Sequence, residues 1–166
     1  MATVTAPQTQ AEPNQTEPQI HPMSEYEKFM FDLKGFLVIP GVLTDEEIQT
    51  VRDHTQTYNK DPESLPEHHR APMAGPSEFL IDHPRVMGIL QEVIDPKREH
   101  IRLESIFISG RSVDTNDQWR PHVGGTNLSP SLSYRFHNGR IYSGMTRIVW
   151  ELNEVKKGQG GTCLVP

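Results

Sequence analysis

Ile101-Arg102-Leu103-Glu104-Ser105-Ile106-Phe107-Ile108-Ser109-Gly110 divides the chain into two halves of different character. Ile101, Leu103, Ser105, Phe107 and Ser109 alternate with Arg102, Glu104, Ile106 and Ile108. That period of two, with its β-branched and aromatic bulk and a closing glycine, predicts β-structure. Ahead of this stretch the apolar spacing is helical; after it the pattern stays extended.

Working back toward the N-terminus, Asp82 and Pro84 start a helix in which Val86, Ile89, Leu90 and Val93 repeat at the spacing of one buried face, and Pro96 marks its end. Asp61 to Pro76 holds Pro62, Pro66, Pro72 and Pro76 with no periodicity and reads as a long loop over the surface or a pocket mouth. Thr44 and Glu47 stand in capping-box spacing before a helix that carries Ile48, Val51 and Tyr58 on one stripe. Phe36-Leu37-Val38-Ile39, bounded by Gly35 and Pro40, has the pattern of a short buried strand. Ser24 and Glu27 make another capping box, with Tyr26, Phe29, Met30 and Leu33 following at helical intervals. Residues 1–23 are rich in Gln, Thr, Glu and Pro and are expected to be a disordered tail, leaving 24–166 as one domain.

Toward the C-terminus, Arg140 to Leu152 reads as a β segment in which Ile141, Ile148, Val149 and Trp150 supply the bulk. Gly139 and Gly144 mark its turn or bulge points. Gly158-Gln159-Gly160-Gly161 is a tight turn feeding the extended Thr162-Cys163-Leu164-Val165. Helices followed by strands predict an α+β chain whose β part is a sandwich or jelly roll. A jelly roll uses about eight strands and only about half are found here, so the barrel is expected to be truncated about half way.

Composition narrows the function. The 166 residues suit one domain, and a net charge of −6 without a block of Lys or Arg speaks against nucleic acid as a partner. No run approaches the roughly twenty apolar residues of a membrane span. The first 22 residues lack the charged start and apolar middle of a secretory signal. One cysteine, Cys163, cannot close an internal disulfide, and a soluble cytoplasmic protein is expected. The sequence sets no oligomeric state.

Eight histidines invite the question of metal binding. His21 falls in the expected tail, His54 on an amphipathic helix and His83 at a helix start. His68 and His69 share a loop without Cys or carboxylate partners at zinc-like spacing. His122 differs: Gln118-Trp119-Arg120-Pro121-His122 leads into Gly124-Gly125, where glycines allow a ligand to approach the backbone. Read from its residues alone it is either a ligand or a histidine at a loop edge. Tyr134-Arg135-Phe136-His137-Asn138-Gly139-Arg140 either lines a pocket for an anion or is a polar loop with surface arginines. Trp119 and Trp150 read as core or as pocket walls, and Cys163 as buried filler.

Phe31 to Thr44, Asp82 to Val86, and Ile148 to Val155 with Gly158 to Pro166 together resemble the phytanoyl-CoA dioxygenase-like family. Phe31-Asp32-Leu33-Lys34-Gly35-Phe36-Leu37-Val38-Ile39-Pro40-Gly41-Val42-Leu43-Thr44 is similar to the family's opening strand and helix start. Asp82-His83-Pro84-Arg85-Val86 is similar to its helix before the barrel. Ile148 to Val155 with Gly158 to Pro166 is similar to its most recognisable stretch, which in the family runs on into Gly-Ser-His-Lys. The resemblance implies helices packed on a double-stranded β-helix, a cupin-like jelly roll. It also implies Fe(II) with 2-oxoglutarate as cosubstrate, and hydroxylation of a small organic substrate.

The family holds iron with two histidines and one carboxylate, leaving open positions for 2-oxoglutarate and oxygen. The resemblance makes His122 the first metal ligand. Gly124 stands where the carboxylate is expected; in related iron halogenases a Gly or Ala there admits chloride, which makes halogenation a minor alternative, and Asp114 and Asp117 are either candidate replacement carboxylates or solvated loop residues. The second histidine and the 2-oxoglutarate arginine are expected beyond Pro166, so the chain by itself is not expected to turn over. A non-catalytic jelly-roll binding protein or inactive remnant is the alternative.

Overall fold

The computed structural model describes residues 19–110 and 132–166. They form a mixed helical and β structure arranged around one short helix. Three α-helices come first: α1 (Glu25–Lys34), α2 (Asp45–Lys60) and α3 (Pro84–Val93). A two-stranded antiparallel hairpin follows, β1 (Tyr134–His137) and β2 (Arg140–Ser143).

The predicted capping boxes set the first two helices. Ser24 Oγ accepts from the Glu27 amide at 3.3 Å while Glu27 Oε2 accepts from the Ser24 amide at 2.8 Å. Thr44 and Glu47 repeat the exchange at 3.2 and 2.8 Å. Each box satisfies amides that the first turn leaves without a carbonyl. Gly35 stops α1 in the left-handed region, φ 78°, its amide donating to the Phe31 carbonyl at 2.8 Å.

The expected loop from Asp61 is built of 3₁₀ turns at Pro62–Ser64, Glu67–His69 and Gly75–Leu80. Proline at the first positions of a turn fixes φ without wasting an amide, which is how a proline-rich segment becomes ordered without helical periodicity. Arg70 ties the segment together, pairing with Glu63 at 2.7 Å and donating to the Leu65 carbonyl at 2.9 Å.

Helix α3 is apolar over most of its circumference and supplies both core clusters. Ile89 and Val93 pack with Met23 and Phe31, against which Leu37, Ile39 and Ile141 close. Val86, Met87 and Leu90 form the second cluster, covered by Ile101, Ile148 and Trp150. Met23, placed in the expected tail, is thus a buried core residue, 4% exposed. The third side of α3 is crossed by backbone: the His21 amide donates to the Pro84 carbonyl at 3.3 Å, and Arg85 Nη1 donates to the Pro22 carbonyl at 3.2 Å.

Helix α1 docks with an unexpected face. Glu27 pairs with Arg85, Lys28 pairs with Glu92 at 3.4 Å, and Phe31 enters the core. These three positions share one side, so the helical spacing of Tyr26, Phe29 and Leu33 carries them outward, where all three are exposed.

Among the described residues most of the predicted strands join no ladder. Phe36–Ile39, Ile101–Ser109 and Thr162–Val165 lie outside any strand, and of Arg140–Leu152 only Arg140–Ser143 pairs. The alternation that predicted them survives in two places: Leu37 and Ile39 turn inward with Val38 exposed, and Ile148 and Trp150 turn inward with Val149 exposed. A period of two reports which side a side chain faces, whereas a strand also needs a neighbour for its amides. The described residues therefore do not form a jelly roll, and the expectation of a half-finished barrel, which rested on counting those strands, finds no support in a two-stranded sheet.

The strand that sequence reasoning missed is β1. Asn138 and Gly139 both take positive φ, 52° and 76°, between the pairs His137↔Arg140 and Phe136↔Ile141. An Asn-Gly pair in that conformation is the tight turn whose twist matches the flanking strands, so Tyr134 to Arg140 is a hairpin rather than a polar loop.

Candidate functional site

A group of ionisable side chains surrounds the N-terminus of α3: His83, Asp82 and Arg85 with Glu47 and His21. Pro84 occupies the first helical turn, which makes His83 the capping residue: His83 Nδ1 accepts from the Arg85 amide at 3.2 Å. A neutral imidazole that accepts on Nδ1 carries its proton on Nε2. Trp150 meets the ring edge to face, with centroids 5.5 Å apart and planes at 71°.

Burial and three neighbouring groups act on this imidazole. Burial is the main influence and pushes the His83 pKa below its ordinary 6.5; the positive charge His21 can carry adds to this, while Glu47 on α2 and neighbouring Asp82 oppose it. Glu47 itself lies below the usual carboxylate range because the Thr44 amide and hydroxyl hold it, with His83 contributing last. The result is a neutral histidine at neutral pH. Its basic lone pair is committed to the Arg85 amide, so it serves as a cap rather than as a free general base.

A second histidine is held more tightly. His54, read as one position on an amphipathic helix, is 4% exposed, with Nδ1 2.8 Å from Ser77 Oγ and Nε2 2.9 Å from the His69 carbonyl. A carbonyl only accepts, so Nε2 donates, and Nδ1 accepts a hydrogen bond from the Ser77 hydroxyl. The pair resembles a nucleophile and base, yet Ser77 is 1% exposed and both ring nitrogens are occupied, which makes it a bolt between α2 and the 3₁₀ segment.

The remaining candidates are scattered. His122, with Gly124, Asp114, Asp117 and Trp119, lies outside the described residues. The His68 and His69 rings meet at 4.2 Å, and His100 Nδ1 lies 3.1 Å from Asp95. Arg135 and His137 point from an exposed strand, while the Arg140 guanidinium sits 5.5 Å over the Tyr142 ring. Cys163, expected as buried filler, is exposed because Thr162–Val165 joins no sheet. Trp150 takes the core role, half-buried against Val86, Met87 and Leu90.

Among the described residues no three His, Cys, Asp or Glu side chains converge so as to hold a metal ion, so these residues alone do not fit an iron centre. No helix among them is long and apolar enough to cross a membrane. The sequence signal for the His83 cap was present in the His-Pro step ahead of an apolar run, since proline at the first helical position makes its predecessor the cap. No family model matches the chain, and neither the curated proteins nor the solved structures contain a match to it.

Proposed function

We propose that this chain belongs to a phytanoyl-CoA dioxygenase-like enzyme that hydroxylates a small organic substrate using Fe(II) and 2-oxoglutarate, with His122 as a metal ligand. The observation that carries this reading is the meeting of the three family-like stretches on α3. Leu37 and Ile39 from the first lie against Ile89 and Val93; Val86 from the second packs under Ile148 and Trp150 from the third. The finer architecture belonging to this reading is helices packed on a double-stranded β-helix, and its compartment is the cytoplasm.

Bound iron with 2-oxoglutarate would supply the oxidising chemistry. The part the described residues play is structural: α3 fixes the segment from Ile148 to Trp150 through buried apolar contacts. A non-catalytic binding protein is the second reading. Gly124 in the carboxylate position favours it.

Equilibrium dialysis with Fe(II) under anaerobic conditions, run on the full chain and on His122→Ala, tests the proposal. Weak binding that disappears in the variant is expected, since one histidine competes poorly with the hydration of the ion. Equal binding by both proteins removes His122 from the metal site and leaves the binding-protein reading. Succinate formed from 2-oxoglutarate by the chain alone would show that its ligand set is already sufficient.

A further inference from the structure

We propose that the cap of α3 is a pH-operated latch: protonation of His83 releases the Arg85 amide, frays the first turn of α3 and loosens Trp150 and the His21–Pro22 crossing together. Only the neutral ring can do the capping. Once protonated, both ring nitrogens carry hydrogens, and Nδ1–H then faces the Arg85 N–H, donor against donor. The new charge also sits at the end of a helix where the backbone dipole favours anions.

Arg85 is why the effect spreads. Its amide is the donor to His83, and its side chain holds the Pro22 carbonyl at 3.2 Å, the His21 carbonyl at 3.4 Å and the Glu27 carboxylate. Loss of the cap therefore disturbs the residue that fastens the N-terminal crossing. Trp150 responds directly through its ring contact with His83.

Several charged and titratable groups face His83. Asp82 precedes it, Arg85 is in the same turn of α3, Glu47 comes from α2, His21 from the crossing segment, and Trp150 is uncharged. Burial, the largest influence, holds the folded pKa below 6.5, so the cap's stabilisation is fully present above pH 6.5 and is lost as pH falls through the folded value. Glu47 stays ionised through this window, because its own pKa lies below 4.5.

The test is a titration of the full chain from pH 8 to pH 5 by NMR, following the His83 ring and the Arg85 amide. The amide is expected to shift in step with the ring, and its protection factor, the exchange rate normalised to the intrinsic rate at each pH, to fall about fivefold once the ring is charged, the size of effect expected from a lost cap. In a Trp119→Phe background the Trp150 fluorescence should show the same step, His83→Asn should abolish it, and His21→Asn should keep it. An Arg85 amide that does not respond while His83 titrates overturns the proposal, as does an unchanged fluorescence step in His83→Asn. Should His83→Asn fail to fold at pH 8, the NMR titration of the unsubstituted protein decides alone.

Discussion

The carbonyl oxygen of His21 occupies the place of a side chain on Gly88: a Cβ built there would lie 1.8 Å from it and 2.4 Å from the carbonyl carbon. Glycine inside a helix normally costs about 1 kcal/mol against alanine. At position 88 that order is expected to reverse, because the obstructing atoms are backbone and held by the Arg85 contacts.

Gly88→Ala should therefore destabilise the protein by about 1–3 kcal/mol, the range for an overpacked core. Urea unfolding measures this. Hydrogen exchange separates the two ways of relieving the clash, since displacement of the crossing segment exposes the His21 amide that donates to Pro84 at 3.3 Å. A variant that gains stability while keeping that amide protected would show that the crossing does not lie on Gly88.

The bolt between His54 and Ser77 makes a different prediction. Ser77→Ala removes the donor to a buried imidazole nitrogen without creating a large cavity, so the cost is that of an unsatisfied polar group, about 1–3 kcal/mol. His54→Ala loses ring packing as well as both hydrogen bonds and should cost more. Denaturant midpoints rank the two, and limited proteolysis should find the segment Pro62–Leu80 more susceptible in both. A neutral Ser77→Ala would mean that the 2.8 Å contact contributes nothing to folding.

Helix starts were the most legible part of the chain, and the reason is local. A capping box is complete within four residues, so Ser24 with Glu27 and Thr44 with Glu47 could be read without knowing any tertiary contact. The side of α1 that docks was not legible, because it follows from Arg85 and Glu92, about 58 and 64 residues away along the chain, meeting Glu27 and Lys28. Strands failed for the same reason: alternation at Leu37–Ile39 encodes a burial side, while pairing depends on a partner elsewhere. The His83 cap was encoded in the His-Pro step, but the neighbours Trp150, Glu47 and His21 that shape its chemistry are brought in by the fold.

Acid should weaken both capping boxes. Glu27 is held below its ordinary 4.5 first by the Ser24 amide, with the Ser24 hydroxyl and Arg85 adding to this against burial, and Glu47 is held down first by the Thr44 amide. Both pKa values are lower in the folded chain, so each contributes stability that is present above pH 4.5 and lost as pH falls through the folded value. Glu27→Gln and Glu47→Gln, which keep an acceptor without a charge, should each flatten the acid limb of a plot of thermal midpoint against pH. An acid limb as steep in the double variant as in the parent would assign acid lability to other carboxylates.

Tyr134 ties the hairpin to α1 by donating its hydroxyl to Asp32, with the Phe31 ring 6.3 Å away at 57°. Burial first, and then the Asp32 carboxylate, push the Tyr134 pKa up to about 12. The other tyrosines supply a background, so the readout is the difference in tyrosinate absorbance between the parent and Tyr134→Phe during an alkaline titration. That difference should appear near pH 12. Asp32→Asn should bring it down only part of the way toward 10, since the amide removes the charge and leaves the burial. A full return to 10 would mean that the carboxylate, and not burial, governs the ring. No change at all would mean that the hydroxyl is not bonded to Asp32, and the hairpin would then rest on α3 through Ile141 without its polar tie to α1.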